Sequence, residues 1–114
     1  MSGILQIKSA MKKFKDVYAT ISKGQFLYYN DKSEKQLLGG LPLNNVTFSS
    51  PIINNKPLSF GIVSITNEQF GYKVEHGKHV ASDKFAHIFY SNSKEDLEHW
   101  RGSIMQFEFA DLLN

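Results

Sequence analysis

The sequence predicts a mainly β domain, a small barrel or sandwich of antiparallel strands closed at one end by a single C-terminal α-helix. Three observations predict it. The first three-quarters of the chain alternates apolar and polar residues between turn signals, the period of half-buried strands. The tail changes to the three-and-four spacing of an amphipathic helix. No repeat, low-complexity tract or proline-rich linker divides the 114 residues, so residues 1–114 read as one domain. A chain of this length buries roughly two-thirds of the surface its unfolded form exposes, enough for one core. Layer logic then sets the helix against the strands.

Each element has its own signal. GILQIKS (residues 3–9) alternates Leu5 and Ile7 against Gln6 and Lys8, which suits a half-buried strand. In DVYATIS (16–22) Val17, Ala19 and Ile21 share one face, with Tyr18 and Thr20 on the other. Lys23-Gly24 is a turn signal, and QFLYYN (25–30) completes a hairpin. DKSEKQ (31–36) is a polar loop, followed by a short strand around 41–43, an Asn44-Asn45 turn and a strand at 46–48. NNKP (54–57) breaks the chain before LSFGIVSI (58–65), and FAHIFYS (85–91) is the last strand. Between them, residues 66–84 contain FGYKVEH, which fits either an extra strand or one arm of a long hairpin. Ser93 caps the helix, and Glu95 and Asp96 sit in its first turn, where the dipole favours acids. Leu97, Trp100, Ile104 and Phe107 or Glu108 line its apolar face, while Gly102 weakens it slightly.

Composition removes several function classes. No apolar run approaches the roughly 20 residues of a membrane span, and nothing resembles a cleaved signal peptide. A cytoplasmic protein, at most peripherally bound to membrane and monomeric, is expected. Without cysteine there is no disulfide, thiolate metal site or cysteine nucleophile. The chain has neither a recognisable serine, histidine and acid spacing nor a glycine-rich phosphate loop, so an enzyme is not expected and no cofactor is implied. The formal charge of +2 hides an asymmetry. Up to Lys35 there are seven lysines against Asp16, Asp31 and Glu34, a local balance of +4 that leaves −2 for the remainder. If the halves occupy opposite ends, the basic end faces an anionic surface. Arg101 is the one arginine, so the bidentate phosphate fork is nearly absent and nucleic-acid binding is set aside.

Three pieces resemble a pleckstrin homology (PH) domain over nearly the whole chain. GILQI is similar to the family's opening Gly-x-Leu strand. FLYYNDKSEKQLLGGLPLNNV (26–46) is similar to a third strand ending in paired aromatics, a loop and a Gly-x-x-Pro-Leu-like fourth strand. HIFYSNSKEDLEHWRGSI (87–104) resembles the last strand, polar cap, acidic first turn and single helix tryptophan, Trp100. The resemblance implies two near-orthogonal antiparallel sheets of seven strands capped by the helix. It also implies a phosphoinositide-binding end ringed by the loops after strands one, three and six. The family's usual phosphate ligands, a lysine ending strand one and a Lys-x-Arg pair opening strand two, fall here on Ile7, Lys15 and Val17. Two of these three positions are aliphatic.

Strand phase places Lys13 and Lys15 with Val17, Ala19 and Ile21, so these lysines reach only the rim of a pocket filled beneath by Ile7 and Val17. Lys8 and Lys12 are out of phase with them and face outward, where some family members bind lipid. A shallow or outer anionic site is therefore expected. Its lipid-binding candidates are Lys8, Lys12, Lys13, Lys15, Tyr29, Lys32 and Lys35, with Met11 and Phe14 entering the headgroup zone. The ligand is an anionic phospholipid, a phosphoinositide or phosphatidic acid. Each feature also has a plainer reading. Phe14 packs on the rim and the lysines are simply solvated, one of Tyr28 and Tyr29 is core, and Lys32 and Lys35 are loop charges. His76 and His79 in HGKH hint at a metal pair but lack a third ligand, so no metal site is assigned. The alternative function is a protein-interaction domain that has lost headgroup binding and captures a partner through the β surface or residues 66–84.

Overall fold

The computed structural model describes residues 1–113, with side-chain positions through residue 107. The alternating runs become strands β1 (Ser2–Lys8), β2 (Phe14–Ser22), β3 (Gln25–Tyr29), β4 (Leu37–Pro42), β5 (Val46–Ser49), β6 (Ser59–Ser64), β7 (Tyr72–Glu75), β8 (Lys78–Ala81) and β9 (Ala86–Tyr90). Helix α1 (Lys94–Leu113) follows. Every strand pair is antiparallel, in the order β5-β6-β9-β1-β2-β3-β4-β7-β8.

The mainly β class with a terminal helix holds, but the count differs. Nine strands stand where seven were implied, and they form one open sheet folded into a sandwich instead of a closed barrel. The two expected sheets are still visible in the register. Among the described residues β1 and β9 share only the Gln6–Tyr90 pair, whereas β1 and β2 pair along their whole length from Ser2–Thr20 to Lys8–Phe14. This bridge is a seam between β5-β6-β9 and the other six strands. The two additional strands are β7 and β8, a hairpin that lengthens the larger half at β4. His76 (φ 51°) and Gly77 (φ 77°) form its turn, with positive φ at both central positions as a two-residue hairpin turn requires.

β4 also begins earlier than the sequence suggested, at Leu37, because the Gly39-Gly40 pair pairs instead of looping. Gly39 lies opposite Tyr28, and Gly40 opposite Leu27 on the other face. An ideal Cβ on Gly40 would meet the Tyr72 hydroxyl at 2.6 Å, and one on Gly39 would meet the Tyr28 ring at 2.5 Å. The two glycines are thus flat seats for tyrosine rings on opposite faces of the sheet.

Inward residues of both halves and the helix make one core. Leu5, Val17, Ala19, Phe26, Leu41, Phe60, Ile62, Phe89, Trp100 and Ile104 are buried. Phe26 is its aromatic hub, with Phe89 at 4.8 Å and Trp100 at 5.5 Å between ring centroids. The helix starts where its cap predicts: Ser93 Oγ accepts from the Asp96 N–H at 3.1 Å. Leu97, Trp100 and Ile104 point inward as their spacing requires, and Phe107 packs against the core; the Glu108 side chain lies outside the described residues. Among the described residues no helix is long and apolar enough to cross a membrane.

Candidate functional site

Sheet register sets which loops meet. β1 and β3 both end, and β4 begins, at the same end of the sheet, since Tyr29 pairs with both Tyr18 and Leu37. β7 runs antiparallel to β4, so its turn at His76-Gly77 reaches that end too. The loop of residues 9–13, the loop of 30–36 and the hairpin tip therefore share one end of the domain.

The first loop is short and tied. The Lys12 N–H donates to the Ser9 carbonyl at 2.8 Å, and the Ser9 N–H to the Lys13 carbonyl at 2.8 Å. Lys12 takes a positive φ of 61° to close it. The tie throws Met11 outward, 78% exposed, between exposed lysines. On β2 the phase is as expected: Val17 and Ala19 are buried, and Lys15 lies opposite Ile7 on that same inner face. Ile7 packs against the core. Aliphatic side chains thus fill the floor where an inward clamp for phosphate would need cations.

Phe14 and Lys8 are paired on the outer face. Phe14 does not stand free at the loop tip. It lies edge-on to Tyr90, centroids 5.0 Å apart at 88°, across the seam. Lys8 Nζ lies 5.9 Å and Lys56 Nζ 5.4 Å from the Phe14 ring centre, within cation–π reach. Together with Gln6, Pro57 and Leu58 these aromatics line a groove of about 260 Å³. Lys56 was not a candidate in the sequence, where it is one lysine in a chain-breaking NNKP. What places it is Ser59, fully buried, whose hydroxyl donates to the Lys56 carbonyl at 2.6 Å and accepts from the Ile53 N–H at 3.1 Å. Ser59→Ala removes the acceptor of the Ile53 N–H, while the Lys56 carbonyl keeps the Ser59 N–H at 3.0 Å, and is expected to cost about 1 kcal/mol. A urea unfolding midpoint unchanged by the substitution would refute this.

The remaining candidates are dispersed. Of the paired tyrosines, Tyr28 is the inward one, 5.6 Å from the Phe89 ring, and burial raises its hydroxyl pKa above the usual range. Tyr29 is on the outer face, its pKa raised first by partial burial, then by Glu34 and Tyr72, so its phenol stays neutral and lies apart from the loop-one lysines. Lys32 and Lys35 are exposed in the 30–36 loop, which Asp31 folds by accepting from the Ser33 N–H at 2.9 Å. The Ser33 hydroxyl, and then that backbone bond, hold the Asp31 carboxyl below its ordinary pKa. On the inner side of the hairpin a cavity of about 340 Å³ is lined by Tyr28, Lys73, Glu75, Lys84 and His87 among others. Lys73 and Glu75 neutralise each other at 2.9 Å, and His87 Nε2 is bonded to the Phe70 carbonyl at 2.8 Å. Burial lowers the His87 pKa, favouring the neutral ring. His79 stacks on Tyr72 at 4.3 Å, and no group of three potential ligands occurs among the described residues.

With this geometry the comparisons are consistent. Residues 1–108 match the family model of the PH domain. The PH domain of ORP8 superposes with a TM-score of 0.68 at 18% identity, covering 91% of each chain. The PH domain of the human KIAA0053 protein gives 0.65 at 16% identity, covering 94% of this chain and 86% of that one. The Slm1 PH domain, crystallised with inositol-4-phosphate, gives 0.61 at 15% identity and covers 94% of each chain. At these identities the likeness speaks for fold alone. No curated protein sequence matches the chain. A family match over almost the whole length, on antiparallel strands closed by the terminal helix the sequence implied, makes this chain a member of the PH domain family.

Proposed function

We propose that this domain is a non-catalytic, membrane-targeting module that binds anionic phospholipid, a phosphoinositide or phosphatidic acid, through its lysine-rich first loop. The observation that carries the reading is the arrangement around that loop. Met11 projects from the tip beside Lys12 and Lys13, Lys15 stands at the rim, and Lys8 and Lys56 flank the Phe14–Tyr90 groove on the outer face. An apolar tip among cations suits the headgroup zone, each lysine there adding about 1 kcal/mol on an anionic leaflet. The Slm1 domain, similar in fold, holds an inositol phosphate, which supports headgroup chemistry on this scaffold. Ile7 and Val17 beneath Lys15 make the contact shallow, with broad lipid preference and modest affinity. Peripheral association at the cytoplasmic leaflet by a monomer follows from this reading.

The test is co-sedimentation with phosphatidylcholine vesicles carrying phosphatidylinositol 4-phosphate or phosphatidic acid, across a salt series. Lys13→Gln/Lys15→Gln is expected to weaken binding roughly 25-fold, and salt to weaken the wild type further. Binding absent at low salt, or unaltered in the double variant, overturns the proposal. The protein-interaction reading is favoured by one observation, the edge strand β8, whose four residues are all exposed. It predicts no vesicle binding and a partner lost when β8 is altered.

A further inference from the structure

We infer that the outer-face groove between Phe14 and Tyr90 docks a protein partner, through a short acidic peptide segment that seats one apolar side chain between Lys8 and Lys56. The inference adds a partner to the lipid-binding reading and does not depend on it. At about 260 Å³ the groove is smaller than the roughly 300–1,000 Å³ of sites that enclose a drug-sized ligand. It fits an anchoring side chain. Phe14, 45% exposed, stands there beside Tyr90, Pro57 and Leu58, and Ile88, two residues back on the same face of β9, continues the apolar strip at 37% exposure.

The wall opposite Phe14 is fixed from below. Ser91, 5% exposed, donates to the Leu58 carbonyl from its N–H at 3.0 Å and from its hydroxyl at 3.1 Å. Buried Ser59 holds the Lys56 carbonyl from its own N–H at 3.0 Å. Residues 56–58 are thus pre-ordered, and the ordering cost of docking falls on the partner segment alone.

Charge selects the partner. The Nζ atoms of Lys8 and Lys56 lie 5.9 and 5.4 Å from the centre of one ring, Phe14, and no acid lines the groove among the described residues. Asp16, opposite Gln6 on β2, is the near acid, and its carboxylate accepts from Gln6 Nε2 at 3.1 Å. Carboxylates on both sides of an apolar anchor therefore meet both lysines, while a basic segment is repelled. A bilayer is the poorer match, because it takes a projecting apolar tip such as Met11, whereas this surface is concave and its Phe14 ring is turned against Tyr90. Lys15, which the lipid reading needs, lies opposite Ile7 on the inner face, so the two contacts do not compete for it.

Fluorescence polarisation of labelled synthetic peptides, Asp-Glu-Asp-X-Asp-Glu-Asp with X tryptophan, leucine or glycine, titrated with the whole chain tests this. The tryptophan and leucine peptides are expected to bind at least about tenfold tighter than the glycine peptide, the effect of burying one anchor. Lys8→Gln and Lys56→Gln are each expected to weaken them by up to about fivefold, and Phe14→Ala to erase the preference for an apolar X. Lys56→Gln, a surface change, carries the test should Phe14→Ala lower the urea midpoint. Equal binding of all the peptides, a preference that survives Phe14→Ala, or a loss in Lys13→Gln/Lys15→Gln as large as in Lys56→Gln overturns the inference. If no peptide binds and Phe14→Ala abolishes vesicle co-sedimentation, the groove belongs to lipid; if none binds and Phe14→Ala dissolves a dimer in sedimentation velocity, it belongs to a second copy. Either result overturns the inference, and vesicle binding by Lys13→Gln/Lys15→Gln judges the first-loop reading separately.

Discussion

Truncation of Trp100 to alanine is expected to lower the free energy of unfolding by about 3–5 kcal/mol, the range for removing a fully buried aromatic. The residue is 1% exposed, as buried as Ile104 one turn on. Its ring meets Phe26 at 5.5 Å, and its Cζ2 lies 3.5 Å from where a Cβ on Gly3 would stand. A Cβ at position 3 would therefore rest in ordinary van der Waals contact with the indole. No neighbouring side chain is placed to fill the void, because Phe26 is already packed against Tyr28 and Phe89. A domain of this size has about 5–15 kcal/mol in total, so the variant sits near the folding threshold. Urea denaturation followed by far-ultraviolet dichroism measures it, and Trp100→Phe should recover a substantial part of the loss. A shift in stability below about 1 kcal/mol would show that the helix is anchored elsewhere.

Gly39→Val is expected to cost about 3 kcal/mol, the upper part of the overpacking range. A Cβ at this position meets both the Tyr28 ring and the Tyr72 carbonyl oxygen, the latter at 2.8 Å. A side chain can swing aside. The carbonyl belongs to the strand that pairs with β4, so relief requires β7 to move. The damage should therefore concentrate in the β4–β7 ladder at Gly39–Lys73 and Gly40–Tyr72. Amide hydrogen exchange is the sensitive readout: protection in β7 and β8 should fall further than in β1 and β2. Uniform loss across the sheet would argue that Gly39 supports the whole core instead of the hairpin. Tyr28→Ala added to Gly39→Val should recover only part of the stability, because the carbonyl contact survives.

Much of this was legible in the sequence where a single period governed burial. Val17 and Ala19 point inward with Leu5 opposite Val17, so the alternation of the first two strands gave the face of Lys15 and Lys8 correctly. The helix was readable from Ser93 and from the spacing of Leu97, Trp100 and Ile104, because cap and apolar stripe are both local. The β7–β8 hairpin was legible only in its first arm, FGYKVEH having fitted either an extra strand or one arm of a long hairpin. Lys78–Ala81 is exposed at every residue, so no alternation marks it as a strand, and its pairing is supplied by the turn and by β4. Gly39-Gly40 reads as a chain breaker until two tyrosine rings are seen to occupy the missing side chains' space. Lys56 and Tyr90 reach Phe14 through tertiary folding alone, and Ser59, which sets Lys56, carries no sequence signal beyond being a serine at a strand start.

The seam at Gln6–Tyr90 has a mechanical meaning. Two leaves of sheet meet along a line with one ladder pair, tied also by the shared core and by Asn92 Nδ2 donating to the Ile4 carbonyl at 3.0 Å, and the Phe14 groove lies over that line with walls from different leaves: Gln6 and Phe14 on one, Ser59 and Tyr90 on the other. Its width is set by the angle between the leaves. A side-chain change on either leaf at this line therefore alters the groove from one wall only.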